Sequence, residues 1–125
     1  MLRLRVLKYR LSVCNVQNGK IPSFSLDSPF LSITKSEDEL SCVCAEGFEP
    51  KDAKCERGFV ALKICGHLDF SLTGVLNSIL KPLADASISV FSISTFQTDY
   101  ILVKERDIEK SVNVLKDTFL IENKI

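Results

Sequence analysis

A chain of 125 residues, 46% hydrophobic and 26% charged, has room for one compact domain or two very small ones and an ordinary globular composition. Its 16 basic and 16 acidic side chains cancel, which argues against the concentrated positive charge of a nucleic-acid binder. No apolar run approaches the roughly 20 residues that cross a bilayer, so a membrane partner is not expected.

The opening residues Met1-Leu-Arg-Leu-Arg-Val-Leu-Lys8 alternate charged and apolar side chains without a continuous apolar stretch. That pattern predicts a strand rather than a signal peptide, and a cytoplasmic protein. From Leu4 to Val16 the residues suit one long or broken strand, closed by the turn signal Gln17-Asn-Gly-Lys20 and Pro22. Phe30–Thr34 and Leu40–Cys44 are two further short strands, joined by the polar connection Lys35-Ser-Glu-Asp-Glu39. Glu46 to Arg57, charged and carrying Gly47 and Pro50, predicts a surface loop or one helical turn and marks a boundary between two halves.

Phe59–Cys65 is a mostly apolar strand ended by Gly66. Leu72, Val75, Leu76, Ile79, Leu80 and Leu83 then recur at helical spacing. Asp69, Ser71 and Thr73 are all suitable N-caps, and Pro82 predicts a kink or an early end. Ile88–Thr95 is a strand whose alternation slips at Val90-Phe91, through burial of both faces or a bulge. Gln97 to Asp99 form a turn, and Tyr100–Val103 returns as a hairpin strand. Asp107 caps a second helix that buries Ile108, Val112 and Leu115, and Phe119–Ile121 supplies a closing strand. The order strand, helix, strand, strand, helix, strand is the ferredoxin-like βαββαβ arrangement, an α+β fold with an antiparallel sheet and both helices on one face.

Two polar corners carry the binding chemistry. Cys65-Gly-His-Leu-Asp-Phe-Ser-Leu-Thr-Gly74 leads from a strand end into a helix start, where unpaired N–H groups and the helix dipole favour a carboxylate or phosphate. Gly74 there either lets a ligand approach or makes room for neighbouring packing. Ser94-Thr-Phe-Gln-Thr-Asp-Tyr100 places hydroxyls and a carboxylate at a hairpin turn, where they can satisfy their own backbone or, through Asp99, meet an ammonium group. A cationic helix end and an acid together complement a zwitterion.

No catalytic arrangement is expected. His67 and the cysteines are not spaced as a base and nucleophile, and no phosphate loop, dinucleotide glycine pattern or EF-hand is present. The five cysteines, Cys14, Cys42, Cys44, Cys55 and Cys65, are odd in number and lack Cys-x-x-Cys spacing. They are expected to be reduced, mostly buried thiols, with Cys42 and Cys44 side by side on one strand face; neither metal nor cofactor is expected.

The runs Leu68-Asp-Phe-Ser-Leu-Thr-Gly-Val-Leu76, Lys81-Pro-Leu-Ala84 and Ile93-Ser-Thr-Phe-Gln-Thr-Asp-Tyr-Ile-Leu-Val103 resemble those of small tandem ACT-domain proteins. These are related to the regulatory ACT pair of aspartate kinases. Upstream, Phe30–Thr34, Glu39-Leu-Ser-Cys-Val-Cys44 and Glu56-Arg-Gly58 fit the same pattern, so the resemblance covers nearly the whole chain. It implies two ferredoxin-like ACT modules packed side by side, residues 1–57 with shortened helices and residues 58–125 complete. The second also resembles the C-terminal module of the cytosolic arginine sensors of animal growth signalling. The resemblance implies a non-catalytic regulatory protein holding an amino acid at the module interface, with a homodimer as a further partner. The alternative is a structural or protein-interaction module without a ligand. The ligand-binding set it implies is Asp69, Phe70, Gly74, Val75, Thr95, Phe96 and Asp99. Leu72 stands where the sensors carry an acidic residue, so arginine is not implied as the ligand, although Asp69 lies close enough to substitute.

Overall fold

A computed structural model describes residues 2–65 and 74–123. They form β1 (Arg3–Val6), β2 (Leu11–Val16), β3 (Leu31–Lys35), β4 (Leu40–Ala45), β5 (Ala53–Cys65), α1 (Val75–Asp85), β6 (Phe91–Ser94), β7 (Asp99–Lys104), α2 (Ile108–Leu115) and β8 (Leu120–Asn123). Ser23–Asp27 and Glu105–Asp107 are short 3-10 turns. The chain divides into two units: described residues up to Lys8 with those from Val60 onward, and Tyr9–Phe59.

In the first of these units β1 runs antiparallel to β5, with Leu4 opposite Ile64 and Val6 opposite Leu62. On its other side β1 runs parallel to β8, with Arg5 opposite Glu122. β7 joins β5 and pairs antiparallel with β6. The sheet is therefore mixed, where βαββαβ order alone predicts an antiparallel one. The cause is β1: the sequence division assigns it to the first module, but Leu4 and Val6 are buried in this unit's core, and Arg3 and Arg5 form ion pairs with Glu122 at 3.3 and 3.6 Å.

One face of this sheet, carrying Leu4, Val6, Leu62, Ile64, Ile101 and Val103, meets α1 through Ile79 and Leu83 and α2 through Leu115. Ile108 and Val112 pack at its margin, as their helical spacing predicts. α1 continues through Pro82 to Asp85. A proline inside a helix costs about 3 kcal/mol. Ile79 and Leu83, both fully buried, each contribute roughly 1.5–3 kcal/mol, which offsets that cost. The helix ends instead in a Schellman-type cap: Ser87 takes φ 61°, its N–H donates to the Ala84 carbonyl, and the Ile88 N–H donates to the Leu83 carbonyl at 2.9 Å. With Ile88 used in that cap, β6 starts only at Phe91, which resolves the slipped alternation at Val90-Phe91 without a bulge; both side chains are partly exposed. Asp107 precedes α2, but its side chain makes no cap hydrogen bond.

In the Tyr9–Phe59 unit, β4 pairs antiparallel with both β3 and β2, and β2 pairs antiparallel with β5. The predicted strand from Leu4 to Val16 is the broken alternative, divided into β1 and β2. The predicted loop at 46–57 is corrected in its second half, because Ala53–Arg57 belong to β5. Lys54, Cys55 and Glu56 sit opposite Asn15, Cys14 and Val13, so a run that looks like charged surface is held by β2 as a strand. The only helical turn described here is Ser23–Asp27, where the Ser25 hydroxyl donates to the Phe48 carbonyl at 2.7 Å. That matches a first module with shortened helices.

Candidate functional site

The β6–β7 hairpin and the start of α1 hold the described members of the predicted binding set. Ser94 and Asp99 face each other as the last and first residues of their strands, and the Ser94 hydroxyl donates to the Asp99 carboxylate. Between them the Thr95 N–H donates to the Thr98 carbonyl at 2.8 Å. The Thr95 hydroxyl donates to the same carbonyl at 3.0 Å and accepts from the Thr98 N–H at 3.2 Å. The loop is thus closed on itself. It is also fixed to the sheet, since the buried Thr98 hydroxyl donates to the Ile64 carbonyl at 2.6 Å, near the end of β5. Lys63 lies over the Tyr100 ring, 5.9 Å from its centroid.

Phe96 projects from this loop and is 78% exposed, uncommon for so large an apolar side chain. Gly74 occupies the cap position before α1 with φ 83°. Its carbonyl accepts from the Ser78 N–H at 2.9 Å. The left-handed backbone conformation is itself a reason for glycine, since a side chain is strained there whatever the space around it. Val75 opens α1 and packs partly buried against the core. Asp69 and Phe70 lie outside the described residues, as do His67, Leu72 and the other cap candidates Ser71 and Thr73. The hairpin therefore brings together Thr95, Phe96 and Asp99. Thr98 and Ser94 are additions that the sequence reading did not select; the Thr95/Thr98 spacing is a local turn signal, but the bond to Ile64 spans 34 positions and has none.

None of these residues lines the cavity of about 400 Å³ in the Tyr9–Phe59 unit, bounded by residues 18–24 and 50–52. Two polar groups at its rim are already paired, Asn18 Nδ2 donating to Asp52 at 3.1 Å. Glu49, in the same unit, accepts from the Ser12 hydroxyl at 2.6 Å and from the Gly47 N–H at 2.9 Å, and lies 3.4 Å from Arg57 Nε. Burial opposes its ionisation, but the Ser12 hydroxyl, the backbone N–H groups and the Arg57 charge outweigh burial and hold the carboxyl below its ordinary range.

The expectation of five reduced thiols is corrected: Cys14 and Cys55 form a disulfide, while Cys42, Cys44 and Cys65 are free and buried. β2 runs between β5 and β4, which places Cys14 opposite both Cys55 and Cys42, a pairing that no spacing rule reveals. Cys42 and Cys44 share a hydrogen bond that lowers the Cys42 thiol against burial and the Glu49 charge, and with burial pushes the Cys44 thiol up.

The model of the ACT domain matches residues 54–117, and a model of an N-terminal domain matches residues 10–52. The human cytosolic arginine sensor for mTORC1 subunit 1 is 31% identical over 101 residues, covering 72% of this chain and 31% of that protein. The chain thus spans about a third of the length of the curated relatives it matches. A solved protein from Agrobacterium tumefaciens superposes with a TM-score of 0.90 at 29% identity, over 99% of this chain and 94% of that one. The ligand-free regulatory subunit of Thermus thermophilus aspartate kinase superposes with a TM-score of 0.65 at 6% identity, over 93% and 96%, a likeness of fold alone. With a complete ferredoxin-like unit in place and the domain model matched across half its length, this chain belongs to the ACT-domain family.

Proposed function

We propose that this chain is a non-catalytic regulatory protein of the cytoplasm that binds a small amino acid at the corner formed by the start of α1 and the β6–β7 hairpin. The supporting observation is the construction of the hairpin. Thr98 ties it to Ile64, so the Asp99 carboxylate and the exposed Phe96 ring stand on a fixed rather than a mobile turn. Asp99 would meet the ligand's ammonium group, exchanging or sharing its bond to Ser94. The N–H groups that open α1, from Val75 onward, would meet the carboxylate. Asp69 and Phe70 complete the proposed set on the strength of the sequence resemblance, as does the placement of the ligand between two modules. The likeness to an arginine sensor supports an amino acid as ligand class, and Leu72 argues for one other than arginine.

A thermal-shift panel of the standard amino acids tests this. A ligand at 100 times its Kd stabilises the fold by about 2.7 kcal/mol, a shift of several degrees for a domain of this size. Asp99→Ala should abolish that shift while leaving the ligand-free melting temperature nearly unchanged. A collapse of the melting temperature would instead make Asp99 a turn residue.

One observation favours a second reading, an interaction module without a ligand. Among the described strands β3 pairs with β4 alone, and Ile33 on it is 45% exposed. An open edge of this kind accepts another strand, including one from a second copy of the chain. No shift with any amino acid, together with concentration-dependent association that Ile33→Lys weakens, would favour it.

A further inference from the structure

The Tyr9–Phe59 unit gathers four of the five cysteines in one place. Cys55, Cys14 and Cys42 stand in register across β5, β2 and β4, and Cys44 follows on the same face of β4. The sulfurs of Cys14, Cys42 and Cys44 all lie within 4.8 Å of one another. These three side chains are at most 1% exposed and are surrounded by Val16, Ile21, Leu31, Leu40 and Phe48. Thiolate sulfurs bind soft metals at about 2.3 Å, so three of them around one ion sit roughly 4 Å apart. The observed spacing needs a contraction of less than about 1 Å, which χ1 adjustments supply without moving the strands.

We propose that, once the Cys14–Cys55 disulfide is reduced, Cys14, Cys42 and Cys44 form a three-thiolate site for a soft d10 cation, with Cu(I) the best match. Soft thiolates select Cu(I) and zinc over hard ions. Zinc takes four donors in a closed site, so it would also need Cys55; Cu(I) is satisfied by three. Beyond this apolar packing, the buried Ser12 hydroxyl opposite Cys44 donates to Glu49, whose carboxylate also accepts from the Gly47 N–H and pairs with Arg57, so these oxygens are already engaged.

The disulfide gates the site, because Cys14 cannot be bonded to Cys55 and ligate a metal through the same thiolate. A dithiol reductant opens it. Two electrons and two protons pass to the Cys14–Cys55 bond, giving two thiols, and the reductant closes to its own disulfide. Binding of the cation then displaces the protons of three thiols. Cys55, only partly buried, is the more exposed of the two bonded residues and the one a reductant would approach. This departs from the expectation of no metal, which rested on the absence of Cys-x-x-Cys spacing. A site assembled across strands does not need that spacing.

The test uses the full chain, reduced with a water-soluble phosphine, exchanged into anaerobic buffer and titrated with Cu(I) held by a chromogenic chelator. The reduced, folded protein should withdraw one equivalent. The disulfide form should withdraw at least tenfold less, as should Cys42→Val and Cys44→Val, each checked by circular dichroism for retained fold. Cys65→Val, in the other unit, should bind as the parent does. Equal withdrawal by the disulfide form, or by folded Cys42→Val and Cys44→Val, would overturn the proposal. So would no withdrawal by the reduced chain, or loss of its fold on reduction. Uptake of Zn(II) but not Cu(I), abolished by Cys55→Val, would replace the three-donor site with a four-donor one and overturn the Cu(I) assignment.

Discussion

The hydroxyl of Thr98 donates to the carbonyl of Ile64 across 2.6 Å, tying the β6–β7 loop to the end of the strand that precedes α1. One proposed ligand contact, Asp99, is one residue from this link. Thr98→Val keeps the shape but removes the hydroxyl's bond to the Ile64 carbonyl, at a cost of about 0.5–1.5 kcal/mol. The expected outcome is a lower melting temperature and a smaller amino-acid shift. An unchanged ligand shift would show that the hairpin needs no anchor to bind.

Gly74 separates conformation from crowding. Its φ of 83° predicts that Gly74→Ala loses roughly 1–2 kcal/mol through backbone strain. Gly74→Asn should lose less despite its bulk, because asparagine visits the left-handed region more readily. If denaturant unfolding ranks asparagine below alanine, close packing sets the requirement and the conformational explanation fails.

Glu49 gives a pH signature. Its folded-state pKa lies below the ordinary carboxylate value, so its contribution is fully present above about pH 4.3, the usual unfolded value. It disappears as the pH falls through the lower folded value. Parent protein and Glu49→Gln should therefore differ in denaturant midpoint at pH 7 and converge as acid is added. A gap that stays constant to pH 2 would mean that the carboxylate charge is not what stabilises the 46–57 segment.

The Cys14–Cys55 bond closes a sequence separation of 41. In the chain-entropy account a loop of that size contributes about 4 kcal/mol by restricting the unfolded chain. Phosphine reduction without metal is expected to lower the urea midpoint accordingly, and saturating Cu(I) to restore part of it. Identical midpoints before and after reduction would remove the disulfide from the stability of this unit.

Local pattern was enough for much of this protein. The stripe Leu76, Ile79, Leu83 and the alternation in Tyr100–Val103 are periodicities of single elements, and they identified α1 and β7 before any contact was known. The motif around Gly74 and Asp99 likewise pointed to the ACT family from adjacent residues alone. What remained hidden is non-local. Leu4 and Val6 read as a strand, but only pairing with β5 and β8 assigns that strand to its unit. Lys54–Arg57 reads as a charged loop because a strand held by its neighbour needs no apolar alternation of its own. Thr98 acquires its role from a carbonyl 34 positions away, and the cysteines acquire theirs from a register linking three strands. Spacing along a chain reports which residues share a face of one element; which faces meet is decided by the tertiary pairing, because backbone hydrogen bonds between strands carry no sequence code of their own.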